Sequence, residues 1–324
     1  MTTGELLYLS RSDVLATGIT MREVIDSIEE MFRQKGLGKV EMPPKPGVHP
    51  RSDSFIHAMP AYIPVLNSVG VKWVSGYPQN QTRGLPYVSG LLILNDPETG
   101  IPIAVMDCTW ITAMRTGAAT AVAAKYLARP ESRTIGILGC GVQGKSNLEA
   151  LCQVFDVERI FAYDIRPDVS LNFAAMASGA LNIESLSVST PREAVSSSDI
   201  VVTAGPILKT PHATIKSGWL SRGSFASLVD FDSYWSAEAL GEIQKFCTDD
   251  IPQFEHYREI GYFQSVKKIH AELGEIVIGK KPGREDASER TIACNLGIAL
   301  DDIAVAPLVL KRAIQLGIGQ RLTL

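Results

Sequence analysis

The spacing of hydrophobic positions changes character along the chain and divides it into two kinds of structure. Leu6 to Leu9 reads as a short strand, followed by a polar break carrying Ser10 and Asp13. From Met21 to Gln34 the apolar residues Val24, Ile25, Ile28, Met31 and Phe32 recur at a helical period. Residues 41–53 are too rich in proline for regular structure. Strand-like pieces follow at Phe55 to Met59, Gly70 to Val74, Tyr87 to Leu94 and Ile101 to Asp107. The turn cluster Asn95-Asp96-Pro97-Glu98-Thr99-Gly100 marks a hairpin between the last two. This first region predicts an antiparallel, β-rich domain. An alanine-rich helix, Ile111 to Leu127, then stops before Arg129-Pro130 and leads into a different pattern.

Beyond that helix, strands alternate with helical segments. The candidate strands are Thr134–Leu138, Arg159–Tyr163, Ser185–Val188, Ile200–Thr203, Ser224–Val229 and Lys245–Thr248. Alternating βα units predict a doubly wound parallel sheet with right-handed crossovers. After Ile278 the chain turns polar, and a last helix spans Ile298 to Leu316. With the strands of the sheet complete before it, this helix is expected to pack back on the first domain. The fold class is therefore α/β: a Rossmann-type doubly wound parallel sheet plus a β-rich α+β domain. The expected division is residues 1–116 with 300–324, and residues 117–299.

Composition narrows the function classes. A formal charge of -4 over 324 residues, with no basic run, argues against nucleic acid and anionic membrane surfaces as partners. No apolar stretch reaches the roughly 18 residues that span a bilayer, and Met1-Thr-Thr-Gly-Glu-Leu lacks the pattern of a secretory leader. The five cysteines (Cys108, Cys140, Cys152, Cys247 and Cys294) are scattered, without metal-ligand spacing. A cytoplasmic protein with inert thiols and no metal site is expected.

The chemistry concentrates first at Thr134-Ile-Gly-Ile-Leu-Gly139-Cys140-Gly141-Val142-Gln143-Gly144. A strand runs straight into Gly-x-Gly-x-x-Gly and then a helix. In a dinucleotide site Gly139 permits the tight turn, Gly141 lets the backbone approach a pyrophosphate, and Gly144 lets helix and strand pack closely. The phosphates sit where helix-start N–H groups favour negative charge. The next strand ends on Asp164, 25 positions after Gly139. A carboxylate there accepts hydrogen bonds from a ribose diol and repels a 2′-phosphate, which favours NAD over NADP.

The substrate-gripping residues must lie elsewhere. Lys72, isolated in Gly70-Val71-Lys72-Trp73-Val74, is either snorkelling from an edge or buried opposite an anion. Arg115 reads as the start of the alanine-rich helix. With Thr116 and helix-start N–H groups it makes a candidate carboxylate site; the alternative is a pairing with a structural acid such as Asp107. Asp230 and Asp232 follow a late strand at its carboxyl end, where ligands bind in such sheets. Either could act as general acid/base, and either could cap the helix beginning near Ser236. His57 alternates with apolar neighbours and either points into the site or is a satisfied strand histidine.

At these residues the sequence resembles the ornithine cyclodeaminase/mu-crystallin family, nearly end to end. The pieces that carry the resemblance are Met59-Pro60-Ala61, Val71-Lys72-Trp73-Val74-Ser75-Gly76, Gly84-Leu85-Pro86, Arg115-Thr116, Gly139 to Gly144, Glu272-Leu273-Gly274 and Gly297-Ile298-Ala299-Leu300-Asp301-Asp302. The resemblance implies an amino-acid-binding and dimerisation domain, a Rossmann domain that binds NAD, and a homodimer that pairs the first domains' sheets. It implies that Lys72, Arg115 and Lys45 hold a substrate carboxylate, with His57, Met59 and Thr116 completing the substrate set. The implied cofactor set is Arg115, Thr116, Gly139, Gly141, Val142, Gln143, Gly144, Asp164 and Thr203. The segment Gly223 to Asp232 lies on the family's catalytic-aspartate loop without a gap, which puts Asp232 rather than Asp230 in the catalytic position beside Lys72.

Two departures bear on the substrate. Ornithine cyclodeaminases carry a glutamate two residues before the Met-Pro pair, where this chain has His57. The family's Asp-x-Pro-Gly-Lys stretch is here Asp232-Ser233-Tyr234-Trp235-Ser236. The expected function is an NAD-dependent enzyme acting at the α-carbon of an amino or imino acid other than ornithine, of cyclodeaminase or amino-acid dehydrogenase type. The alternatives are a cyclic ketimine reductase and a non-catalytic nucleotide-binding protein of the mu-crystallin kind.

Overall fold

The computed structural model describes residues 4–51 and 53–324. Met1–Thr3, where the reading of a leaderless N-terminus begins, and Ser52, inside the proline-rich segment, lie outside the described residues. The chain divides into two compact units, Met1–Arg115 with Ile298–Leu324, and Thr116–Gly297. No helix among the described residues is long and apolar enough to cross a membrane. All five cysteines are free thiols.

The first unit opens with strand β1 (Glu5–Leu9) and helix α1 (Arg11–Ala16). The polar pair read as a break is a capping box: Ser10 accepts from the Asp13 amide while the Asp13 carboxylate accepts from the Ser10 amide. Helix α2 (Met21–Gly36) starts on the equivalent Thr20–Glu23 box and buries Val24, Ile25, Ile28, Met31 and Phe32. At about 1.5–3 kcal/mol for each such side chain fully buried, that face outweighs any helix propensity. The segment 41–53 is not irregular throughout. It contains strand β2 (Gly47–Arg51), an exposed edge strand, where Pro50 costs no inward ladder bond. Strands β3 (Ser54–Ile63), β4 (Ser68–Gly76), β5 (Val88–Asn95) and β6 (Pro102–Asp107) form an antiparallel meander, with the hairpin at Asn95–Gly100 as expected. Helix α3 (Thr109–Leu127) then runs from the first unit into the second.

The second unit is built on β7 (Thr134–Leu138), α4 (Val142–Leu151), β8 (Arg159–Tyr163), α5 (Pro167–Leu181), β9 (Glu184–Ser187), α6 (Pro191–Ser196), β10 (Ile200–Thr203) and β11 (Phe225–Leu228). It continues with α7 (Ala237–Leu240), β12 (Lys245–Thr248), α8 (Ile251–Glu259), β13 (Ala271–Glu272), α9 (Leu273–Val277) and β14 (Thr291–Cys294). The sheet order is β13-β12-β14-β11-β10-β7-β8-β9, and every pairing is parallel. The chain winds outward from β7 in both directions, so the order reverses between β7 and β10, where such sheets bind ligands. The sheet is not complete at β12. The short β14, hidden in sequence behind the polar run from Gly279, inserts between β12 and β11.

The chain returns to the first unit through helix α10 (Ala299–Leu316), as the helical pattern predicts, and closes with strand β15 (Gln320–Thr323). The first unit's sheet is ordered β15-β1-β6-β5-β4-β3-β2, antiparallel except for the parallel β1–β6 pair. Helix α10 packs on β3, β4, β5 and α2. Met59, Ala61 and Ile63 of β3, Lys72 and Val74 of β4, and Leu92 and Leu94 of β5 are buried on a shared face. A lysine in that row demands a reason.

Candidate active site

The glycine turn of the second unit leaves β7 at Gly139 and enters α4 at Val142. A Cβ on Gly144 would lie 2.3 Å from the Gly139 carbonyl oxygen, so only glycine lets the helix sit this close to the turn. A Cβ on Gly141 would meet nothing within 4 Å. Gly141 is also the N-cap of α4, with no side-chain cap, and Val142 behind it is 67% exposed. Open space in front of uncapped helix-start amides fits a dinucleotide pyrophosphate. Asp164 stands beside the turn. One of its oxygens accepts from the Cys140 amide at 3.0 Å and the other from the Arg166 amide at 3.0 Å. A carboxylate has about four acceptor positions, so it braces the turn and still has capacity for a ribose diol. Thr203 stands at the end of β10. Its hydroxyl donates to Asp230 at 2.6 Å and is buried with it.

The two carboxylates after β11 have opposite environments. Asp230 accepts from Thr203 and from the Gly205 amide at 2.8 Å. Burial pushes its carboxyl up to about 7, with these two bonds holding it down and Asp232 adding to the rise. Asp232 is also buried, at 1% exposure, yet neither carboxylate oxygen has a hydrogen-bond partner. Burial raises it as well. The amides of Asp232 itself and Phe263 act in the opposite sense without reaching hydrogen-bond geometry. Neither acid caps a helix: α7 is capped by Ser236, which accepts from the Ala239 amide. Between the acids, Phe231 has a left-handed backbone, φ 62°. Such a conformation costs a bulky residue about 1–3 kcal/mol. Burial of its ring among Tyr257, Tyr262 and Phe263 offsets that by a similar amount, about 1.5–3 kcal/mol.

In the first unit, Lys72 is on an interior strand and 1% exposed, so it does not snorkel from an edge. Its Nζ lies 2.5 Å from Asp302 Oδ2. Burial pushes the ammonium below its ordinary pKa, Asp302 pulls it back up, and Arg115 adds to the fall. Arg115 is not at a helix start, because α3 begins six residues earlier at Thr109. The amides at the start of α3 therefore form no part of its surroundings. Asp107 accepts from the Thr109 amide and hydroxyl. Arg115 instead lies 3.2 Å from Asp301 and 3.5 Å from Asp302. The four side chains form one buried network of two cations and two acids. The acids come from the first turn of α10, more than 180 positions along the chain from either cation. They stood in the sequence as a motif without a role.

Burial pushes the His57 ring down to about 3, with Lys45, His49 and Lys72 adding to the fall. The ring is fixed in place. It stacks on Phe55 at 4.3 Å, and a Cβ on Gly47 of the edge strand would lie 2.2 Å from it. His57 and Met59 share the face of β3 that carries Lys72 across the β3–β4 pair. Thr116, next to Arg115, is buried and is the first residue of the second unit. The described residues contain no group of three His, Cys, Asp or Glu side chains able to hold a metal.

Residues 7–316 match the ornithine cyclodeaminase/mu-crystallin family. The chain belongs to this family. An alanine dehydrogenase of Archaeoglobus fulgidus is 38% identical over 98% of both chains. Among solved structures of the family, the Thermococcus litoralis Δ1-pyrroline-2-carboxylate reductase in complex with NADH and L-proline superposes with a TM-score of 0.88. It is 37% identical, with 97% of this chain and 99% of that one covered. An archaeal alanine dehydrogenase dimer with bound NAD also superposes at 0.88, with 36% identity over 98% and 99% of the two chains. As a family member, the protein is an NAD-dependent enzyme acting at an α-carbon.

Proposed function

We propose that the protein is an NAD-dependent oxidoreductase of small amino or imino acids that bear no distal amine, of dehydrogenase or imine-reductase type rather than cyclodeaminase type. The observation that carries this reading is His57. A distal ammonium needs a carboxylate to hold it. At this position the chain offers an imidazole kept neutral by burial and by Lys45, His49 and Lys72. A second cation there meets only repulsion.

The residues divide the work between the units. Lys45, Lys72 and Arg115 hold the substrate carboxylate, with Asp301 and Asp302 fixing the heads of Lys72 and Arg115. Holding one end of so small a molecule orients its α-carbon, and orientation is the larger part of the rate gain. When bound, NAD supplies the hydride acceptor or, reduced, the hydride donor. Gly139, Gly141, Val142, Gln143, Gly144 and Asp164 form its seat. Asp232 handles the proton: in the oxidative direction it takes one from the water that attacks the imine, and in the reductive direction it gives one back. Its buried, unpartnered oxygens favour it over Asp230, whose capacity is used by Thr203 and Gly205. The dimeric archaeal relative supports a homodimer, and the free thiols support a cytoplasmic setting.

The test is a turnover panel: NADH with Δ1-pyrroline-2-carboxylate, Δ1-piperideine-2-carboxylate, or pyruvate and ammonia, and NAD with L-alanine, L-ornithine or L-lysine. Turnover should be at least tenfold better with the best amine-free substrate than with either diamino acid. Conversion of ornithine to proline as the fastest reaction would overturn the reading.

A further inference from the structure

Beside Asp232 lie two left-handed aromatic residues that catalysis by itself does not require. Phe231 has φ 62° and Phe263 has φ 55°. Their ring centroids are 5.0 Å apart. Phe231 also meets Tyr257 at 5.0 Å and Tyr262 at 5.7 Å, both edge-on, and is buried. Glycine would adopt this backbone without strain. A phenylalanine adopts it only when its ring is held, so ring and backbone are mechanically linked at this point. The link runs directly to Asp232, the next residue, whose oxygens are buried without a partner and whose other near neighbour is the Phe263 amide.

We propose that Phe231 is a positioning residue: its caged ring holds the backbone before Asp232 in the left-handed conformation and so keeps that carboxylate buried and without a hydrogen-bond partner. This rests on Asp232 being the proton-handling group. A phenylalanine released to the ordinary right-handed region would turn the following carboxylate out of its place, where water can reach it. The titratable groups around the pair are Asp230 on the same segment, Cys294 of β14, Asp249 after β12, Tyr257 of α8 and Tyr262. On α8 the cation Arg258 sits over the Phe254 ring at 5.1 Å, and that ring stacks on Phe263 at 4.2 Å; the His256 ring lies 6.1 Å from that of Tyr257.

The experiment is a carbon-13 NMR titration of side-chain carboxyls in aspartate-labelled protein, with Asp232→Asn assigning the resonance. Asp232 should titrate above the ordinary carboxylate range in the parent, in Phe231→Tyr, and in Phe246→Leu, which disturbs the same core away from Asp232. It should drop toward the ordinary range in Phe231→Ala and Phe231→Leu, which lose the caged ring and are strained in this backbone, and in the same direction in Tyr262→Ala, which loosens the cage from its half-exposed side. In NADH-dependent reduction of Δ1-pyrroline-2-carboxylate, kcat of Phe231→Ala and Phe231→Leu should fall about tenfold with KM nearly constant. An Asp232 titration unmoved in folded Phe231→Ala, Phe231→Leu and Tyr262→Ala overturns the proposal, whatever their thermal stability. Parent-level turnover by Asp232→Asn would instead overturn the assignment of Asp232, and the titration would still judge the positioning role.

Discussion

Replacing Asp302 by alanine should expose how the buried network is held together. Asp302 is fully buried and lies 2.5 Å from the Lys72 ammonium, itself 1% exposed. Removing the carboxylate leaves a dry cation, and breaking a buried pair in this way costs about 3–5 kcal/mol. The lysine can escape part of that cost by losing its proton. The escape sets a ceiling: each pH unit below the ordinary value of 10.5 adds about 1.4 kcal/mol to the cost of neutral lysine. That gives about 5 kcal/mol at pH 7 and about 2 kcal/mol at pH 9. The sign follows from linkage. A lysine whose folded pKa is depressed binds fewer protons folded than unfolded, so its stability contribution is complete above 10.5 and is lost as pH falls through the folded value. Removing Asp302 pushes the folded value further down and widens that window toward neutrality. Urea unfolding of parent and Asp302→Ala at pH 7 and pH 9 should show a large loss at pH 7 that shrinks by about 2–3 kcal/mol at pH 9. The double variant Lys72→Met, Asp302→Leu should recover most of the stability at both pH values. A loss below about 1 kcal/mol, or one equal at the two pH values, would refute a charged Lys72 held by Asp302.

Three further outcomes follow from the same geometry. Arg115→Ala should raise KM for the imino acid about tenfold to a hundredfold and lower kcat, with NADH affinity by fluorescence nearly unchanged; parent kinetics would remove Arg115 from the site. Asp164→Ser deletes the acceptor offered to a ribose diol and the brace on the Cys140 and Arg166 amides. NADH should bind more weakly and the preference over NADPH should narrow, whereas an unaltered preference would count against the ribose assignment. Gly144→Ala forces a Cβ to within 2.3 Å of the Gly139 oxygen, so NADH affinity should fall at least tenfold; unchanged binding would show that the turn can move without consequence.

The sequence made the cofactor half legible because glycine, strand and acid have fixed spacings there, and the sheet supplied the rest. It hid β14 because Thr291-Ile-Ala-Cys is only four residues long and follows a polar run. It hid β2 because proline and polar residues are tolerated on an exposed edge. Arg115 reads locally as the start of a helix, whereas α3 begins at Thr109, and the acids that meet it, Asp301 and Asp302, lie far along the chain and read locally as acids suited to a helix start. The choice between Asp230 and Asp232 was undecidable from composition. It turns on which oxygens are already occupied, and on a left-handed Phe231 that local rules would assign to glycine.

The acid pair also explains how an anion site can be built from buried cations. Lys72 and Arg115 carry two formal positive charges and Asp301 and Asp302 two negative ones, so the four formal charges of the network cancel. Without the acids, Lys72 would shed its proton in so dry a position and lose its hold on a carboxylate. With them, each cation has an ion-pair partner, and Asp302 pulls the Lys72 ammonium back up against burial. Asp301→Asn should therefore add one formal positive charge to the network while keeping a side chain of similar shape. The variant should bind small anions such as sulfate more tightly, seen as stronger competitive inhibition against the imino acid and stronger salt sensitivity of KM. Inhibition by sulfate equal to that of the parent would mean that the acids serve only to fix geometry, and that charge balance plays no part in substrate choice.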